Sequence, residues 1–550
     1  MNSLKPMLLT SLKSYDRTQF VKDVTAGIIV AIIALPLSIA LALASGVGPE
    51  AGIFTAIVAG FVISALGGSS VQIAGPTAAF ATIVAGIVAK DGLDGLVIST
   101  ILAGIFLILM GLCHFGSLIK FIPYTITTGF TSGIAVTIVI GQLKDFFGVT
   151  YPDGVKPIET TEKFKAFIEN ISTMNTAALI VGIVSLAILI ISPVIFKKIP
   201  GSLIAVIVGI LMVKFLPLKV STIGNLYTIS NSLPAFHLPA VNLHIIENAL
   251  PNAFTIAVLA AIESLLSCVV ADGMINGKHR SDMELVAQGA GNIASALFGG
   301  IPATGAIART AANIKNGGRT PVAGMVHSIT LVIVLVVLMP FAGMIPMPTI
   351  AAILFIVAYN MCQWRTFVHL IRTAPKSDII VLFATFILTI LFDLVVAIEI
   401  DMVLACLLFI KRMSEETHVD GWTYVDDDTP DVDAHLKKLP LQIRVYEITG
   451  PLFFGAADAI EHIVVKDFTT CLVLRMRSVP AIDSTAMNAL FNLTKVCENK
   501  GITLVFSHVN EQPMSAMKKS GLYDKVGAEN FCAHIDDALE RGAELGESRQ

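Results

Sequence analysis

The chain has 550 residues, of which 55% are hydrophobic and only 14% charged, and its mean hydropathy is +0.79. Soluble globular chains carry about 25% charged residues, and a net charge of −4 leaves no basic footprint for nucleic acid. Seven cysteines, at 113, 268, 362, 406, 471, 497 and 532, are scattered singly without a CxxC or a Cys/His cluster. That spacing excludes a disulfide framework, a structural zinc or an iron–sulfur centre, so no metal and no cofactor is expected. What remains is a polytopic membrane protein.

Residues 1–23 are polar, with Lys5, Lys13, Arg17 and Lys22, and no small-residue cleavage site follows them at a suitable distance. They read as an N-terminal segment ahead of an uncleaved first membrane helix. From residue 24 to about 412, apolar runs alternate with short polar breaks, and a full crossing needs about 20 residues. The segments are 24–44, 51–66, 76–89, 96–112, 123–142, 174–192 and 200–216, then 251–271, 284–299, 303–314, 321–341, 348–361, 378–392 and 395–411. Seven are followed by seven. With the N-terminus in the cytoplasm, Lys120, Lys197, Lys198, Lys278, Arg280, Lys315, Arg319, Arg365, Arg372, Lys376, Lys411 and Arg412 all fall on the cytoplasmic side, the bias that membrane insertion favours.

Two segments are short, and each opens with a Gly/Pro interruption: Val71-Gln72-Ile73-Ala74-Gly75-Pro76-Thr77-Ala78-Ala79 and Gly299-Gly300-Ile301-Pro302-Ala303-Thr304-Gly305-Ala306. They are the third and the tenth, the same place in each half. Seven is odd, so the halves must be inverted repeats, about 24–216 and 251–411. Both segments are predicted to be extended first and helical afterwards, with their helix N-termini meeting near the midplane. Each N-terminus carries about half a positive charge, so two of them aimed at one point make an anion site. Interrupted segments in matching positions are what inverted-repeat transporters use to bind substrate.

A charge inside a membrane helix costs about 2.5–3.5 kcal/mol on insertion scales, so each needs a reason. Glu263 sits mid-segment in Ala260-Ala261-Ile262-Glu263-Ser264-Leu265-Leu266-Ser267, with no opposite charge within a turn. It reads as a proton carrier, or, with Ser267 one turn on, as part of a cation site. Arg309 lies in the first turns of the second broken helix, where it could complete the anion site or neutralise Glu263. Asp393, Glu399 and Asp401 gather at the last hairpin and read as interfacial or structural. His327 reads as a satisfied packing residue. No nucleophile–base pair, HExxH, P-loop or GxGxxG stands in a suitable context, which leaves an enzyme reading without residues.

Beyond the membrane region, eight acidic residues from Glu415 to Asp433 make 413–438 read as a solvated linker. Residues 439–550 then alternate strands (LQIRVYEITG, CLVLRMRSV, GITLVFSHV) with helical patterns at 456–466, 484–499 and 513–520, an α/β domain large enough to fold alone.

These residues resemble a known family. Gly67-Gly68-Ser69 with Ala74-Gly75-Pro76-Thr77-Ala78-Ala79, Ala261-Ile262-Glu263-Ser264-Leu265-Leu266, Gly299-Gly300 with Pro302, and Ala308-Arg309-Thr310 are similar to the sulfate permease (SulP), or solute carrier 26, anion transporters. Residues 439–550 resemble the STAS domain, with Ala481-Ile482-Asp483-Ser484-Thr485 as its loop-to-helix signature. The resemblance implies a core domain (segments 1–4 and 8–11) moving against a gate domain (5–7 and 12–14), a homodimer, and a cytosolic STAS domain that could meet a cytosolic partner. It places substrate between the broken helices, at Gly75, Pro76, Thr77, Ala78, Ala303, Thr304, Gly305, Ala306 and Arg309, beside Glu263. One departure matters: family members often carry a Pro-Gln pair in the first helix, and here Pro36-Leu37-Ser38 lacks the amide. IESLLSCVVADGM, FGGIPATGAIARTAANIKNGG and GPLFFGAA are most like the branch of the bacterial four-carbon dicarboxylic acid transporter.

The expectation is therefore a transporter in the cytoplasmic membrane with both termini inside. It would move a small anion, succinate, fumarate or aspartate, with a proton by an elevator motion. Sodium-coupled bicarbonate or proton-coupled sulfate transport is the alternative. A channel, or a membrane anion sensor with STAS as its output, is the reading from another class. In the STAS loop, Ser484 or Thr485 is a candidate phosphorylation switch, and Asp483 or Ser484 an equally suitable helix cap.

Overall fold

The computed structural model describes the chain except for residues 1–3, 118–122, 153, 156, 196–199, 217, 230–231, 240–242, 392–393, 422–441, 457–459, 461–462, 464–468 and 548–550. It forms two compact units, Met1–Met402 and Val403–Gln550.

In the first unit α1 (Arg17–Ala44) and α2 (Pro49–Leu66) precede a two-residue strand β1 (Ala74–Gly75) and α3 (Ala78–Leu112). Helix α3 is two arms joined at Gly92, whose φ of 71° and ψ of −171° suit only a residue without a side chain. Its arms are the third and fourth predicted segments. There follow α4 (Tyr124–Phe147), α5 (Thr176–Ile195), α6 (Gly201–Phe215), α7 (Leu243–Ile275) and α8 (Ser281–Leu297). The second half repeats the interruption, with β2 (Thr304–Gly305) leading into α9 (Ile307–Lys315). Helices α10 (Val322–Ala342), α11 (Met347–Cys362), α12 (Lys376–Leu391) and α13 (Leu394–Glu415) complete the series. Every predicted segment is thus a helix or a helix arm. Among the described residues, eight helices are long and apolar enough to cross a membrane; the two broken segments are shorter because part of each is extended.

The helices sort into two groups: α1, α2, α3, α7, α8, α9 and α10 pack on one another, and α4 packs on α11 and α12 while α5 packs on α6 and α11. The outer faces of α5 and α10 leave Ile183, Ile190, Ile333 and Val337 more than half exposed. A soluble protein rarely exposes such a surface, and lipid covers it without cost.

The second unit is a five-stranded sheet in the order β3 (His418–Gly421), β4 (Ile443–Thr449), β5 (Cys471–Ser478), β6 (Thr503–Ser507) and β7 (Phe531–Cys532). Strand β3 is antiparallel and the rest are parallel. Along β5, Leu472, Leu474 and Met476 point into one core with α14 (Ser484–Asn499), while Cys471 and Val473 point into the other with α16 (Ile535–Glu547). Period-two alternation with both faces buried is the mark of a sheet covered on two sides. Helix α15 (Glu511–Ser520) follows β6. Strand β3 falls inside the stretch read as a solvated linker, most of which lies outside the described residues, as does most of the predicted helix 456–466.

Candidate anion site between the broken helices

The interruptions meet. Strand β1 pairs antiparallel with β2, Ala74 opposite Gly305 and Gly75 opposite Thr304. Because the strands run in opposite directions, α3 and α9 leave the pair in opposite directions, with their N-termini side by side. The pair is secured by Ala306 N–H donating to the Ile73 carbonyl at 2.9 Å and by Ile73 N–H donating to Thr310 Oγ1 at 3.1 Å. Strand hydrogen bonds at this depth are tolerated only where protein, rather than lipid, surrounds them, and Ala74, Ala303 and Thr304 are wholly buried.

Neither helix is capped by a side chain. The N-cap of α3 is Thr77, whose side chain makes no cap bond; its hydroxyl donates instead to Glu263 Oε2 at 2.9 Å. The N-cap of α9 is Ala306, which has nothing to cap with. The first-turn N–H groups that a helix leaves unpaired are therefore not taken by a side-chain cap at either N-terminus.

Arg309, in the first turn of α9, is 1% exposed. Its Nη2 donates to Ser38 Oγ and to the Pro76 carbonyl, both at 3.2 Å. Its Nε and Nη1 have no hydrogen-bond partner, and among the described residues no carboxylate lies within 4.0 Å of it. A buried guanidinium without a counter-ion is costly. The geometry thus brings a full positive charge, with the three N–H donors of Nε and Nη1 unused, beside two uncapped helix N-termini. A small anion is the ligand that this arrangement suits.

Ser38 was not among the sequence candidates, and in Pro36-Leu37-Ser38 it is the polar side chain that contacts Arg309. The first helix does reach the site, through the hydroxyl one residue beyond the missing amide. Glu263 meets Thr77 rather than Ser267 or Arg309. Ser267 Oγ donates to Thr310 Oγ1 at 3.4 Å. Ser264 Oγ bonds Thr304 Oγ1 at 2.7 Å and accepts from Gly305 N–H at 3.1 Å. Glu263 and Thr77 are partly exposed where Ser264, Ser267, Thr304 and Arg309 are buried. His327 is packed as expected, yet both its ring nitrogens lack a partner. Asp393 lies outside the described residues, as do the side chains of Glu399 and Asp401.

A cavity of about 470 Å³ lies between the two helix groups. It is lined by Thr82 and Ile83, one turn into α3, by Thr137 and Thr389 of α4 and α12, and by Lys90 and Lys163. Thr82 Oγ1 is buried without a partner.

In the second unit Asp483 caps α14: its Oδ1 accepts from Thr485 N–H at 3.0 Å and Ala486 N–H at 2.9 Å, and Oδ2 accepts from Phe454 N–H at 2.8 Å. Ser484 and Thr485 occupy the exposed first turn. Burial pushes the Cys471 thiol up to about 12 and the Cys497 thiol up to about 11.

Residues 20–385 match the sulfate permease family, and residues 437–538 match the STAS domain. The chain belongs to the sulfate permease family. It is a multi-span membrane anion transporter with a STAS domain at its C-terminal end. YvdB of Bacillus subtilis (strain 168), whose name assigns it sulfate transport provisionally, is 39% identical over 536 residues, 96% of this chain and 98% of that protein. The bicarbonate transporter BicA of Picosynechococcus sp. (strain ATCC 27264 / PCC 7002 / PR-6) is 31% identical over 542 residues, 95% and 94% of the two chains. The solved structure of SLC26A9 shares the fold at a TM-score of 0.87 and 18% identity, covering 100% of this chain and 94% of that one.

Proposed function

We propose that this sulfate permease takes up a small dianion together with a proton, and that four-carbon dicarboxylates are the substrate class. The observation that carries the reading is the buried Arg309 guanidinium, with Nε and Nη1 unused beside two uncapped helix N-termini. A dianion answers that excess of positive charge better than a monoanion. Glu263 stands at the same place and opposes an anion when ionised. Protonating it removes the opposition, so proton and anion bind together and uptake strengthens on acidification. The two helix groups supply the moving and fixed parts of an elevator, and the cavity that reaches Thr82 supplies an approach to the site. The protein then sits in the cytoplasmic membrane as a homodimer with both termini inside, and Ser484 and Thr485 are exposed to a regulatory partner.

A second reading, sodium-driven bicarbonate uptake, is favoured by the likeness to BicA. It needs a cation site at Glu263, where Ser267 Oγ would have to leave Thr310 Oγ1 to take part. The two are separated by uptake of labelled succinate, sulfate and bicarbonate into proteoliposomes at external pH 5 and 7.5, with and without sodium. Acid-driven succinate uptake without sodium supports the proposal. Sodium-driven bicarbonate uptake, with succinate inert, overturns both its substrate and its coupling ion.

A further inference from the structure

Behind the site stands a wholly buried carboxylate that sequence reasoning passed over. Glu284, on α8, is wholly buried. Its Oε2 accepts from Gly68 N–H at 2.9 Å and Ser69 N–H at 3.1 Å; its Oε1 accepts from Gln72 Nε2 at 2.7 Å and Gln288 Nε2 at 2.9 Å. Every partner is a donor, and among the described residues no cation lies within 4.0 Å. Four neutral donors satisfy a carboxylate, which only accepts, and cannot all satisfy a carboxamide, which must turn its own N–H groups toward two of them.

Gln72 is the link to the site. The buried Cys268 thiol donates to its Oε1 at 2.9 Å, which fixes the amide with Nε2 toward Glu284. The same amide lies flat against Gly305, where a Cβ would collide with it. Glu284 therefore holds Gln72, and Gln72 sets how closely β2 approaches β1. Two turns further along α8, Asn292 does the matching task for the other interruption. It donates to the Ala303 carbonyl at 2.9 Å and accepts from Ala303 N–H at 2.8 Å. One face of α8 thus grips the approaches to both broken helices.

We propose that Glu284 is a positioning residue for anion binding: through Gln72 it fixes the β1–β2 approach and so the spacing of the two helix N-termini. The inference rests on the proposed reading of those N-termini as the substrate site. It is tested on the purified full-length protein, by equilibrium binding of whichever of labelled succinate, sulfate or bicarbonate the wild type takes up.

Glu284→Gln is expected to weaken binding by about five- to ten-fold, the worth of one or two lost hydrogen bonds. Adding Gln72→Glu to it restores a carboxylate across the same 2.7 Å contact and is expected to return affinity to within about two-fold of wild type. Cys268→Ala frees Gln72 to turn and is expected to weaken binding about three-fold, while Cys268→Ser keeps the donor and does not. These cysteine variants change little volume and carry the test if Glu284→Gln fails to fold. Unchanged affinity in Glu284→Gln overturns the inference. So does Cys268→Ala behaving as Cys268→Ser, or a Glu284→Gln defect that follows the melting temperature and is not rescued by Gln72→Glu. A wild type that binds none of the three anions overturns the reading of the site, and the inference with it.

Discussion

The two broken segments share a backbone and differ in chemistry. Each runs from a two-residue strand into a helix without a side-chain cap, and the strands pair with each other. The first continues as Ala78-Ala79-Phe80-Ala81, uncharged until Lys90, and its polar contribution at the junction is Thr77. The second continues as Ile307-Ala308-Arg309-Thr310 and brings a full charge within its first turn. The repeat therefore supplies the frame, two partial positive charges with opposed axes, and on the proposed reading divergence within it supplies the specificity. Glu263 takes its partner from the first arm, while the guanidinium belongs to the second. On the proposed reading both charged groups come from the second half of the chain, and the first half contributes Thr77.

The sharpest way to break this asymmetry is to remove the charge. Arg309→Gln is expected to reduce uptake by about a hundred-fold or more, since the attraction that remains comes from helix dipoles, each worth only about half a charge. Arg309→Lys, which cannot reach Ser38 and Pro76 together, should recover part of it. A labelled-anion uptake series in cells expressing equal amounts of each variant measures both. The frame is tested next, by Gly75→Ala against Gly305→Ala. A Cβ at 75 meets Arg309 Nη1 and one at 305 meets the Gln72 amide, so both should weaken binding by about ten-fold. If the halves are chemically unequal, only the first should alter the preference for dianion over monoanion. Competition by unlabelled succinate and bicarbonate reads this out.

A smaller effect distinguishes the two threonines at the junction. Thr77→Val removes the donor to Glu263 and should shift the pH profile of uptake toward higher pH, because the ionised carboxylate loses its hydrogen bond. Thr304→Val, whose hydroxyl serves Ser264 and the Ala260 carbonyl, should lower affinity about three-fold without moving the profile. The smallest effect lies in the STAS domain. With thiols pushed up to about 12 and about 11 by burial, Cys471 and Cys497 carry almost no thiolate at pH 8. They should resist maleimide that labels an ordinary thiol of pKa about 8.5, until the domain is unfolded. Mass spectrometry of the labelled protein checks it.

How much of this was legible in the sequence follows from how local each signal is. The apolar runs, the two Gly/Pro interruptions and their matching places in the halves are written in contiguous residues, and the helices fall where those runs lie. The side-chain pairings are not local. Thr77 and Glu263 are 186 positions apart, Ser38 and Arg309 271, and Gln72 and Glu284 212. Spacing along one helix suggested Ser267 beside Glu263, and the packing of α7 against the second broken segment buries both Ser264 and Ser267 there. Glu284 passed unnoticed because it follows polar residues at the start of α8, where an acidic residue reads as an ordinary first-turn charge. Strand β3 gave no signal either: four mostly exposed residues at a sheet edge carry no apolar alternation.

The central claim is that an anion held between two helix N-termini and Arg309 is admitted when Glu263 is protonated. Its most direct test is the pH dependence of succinate uptake by wild type and Glu263→Gln in sodium-free proteoliposomes, from external pH 5 to 7.5. The account predicts that wild-type uptake rises on acidification, while the variant, permanently neutral at that position, transports with a flat profile. A variant whose profile follows the wild type would place the proton elsewhere and contradict the account.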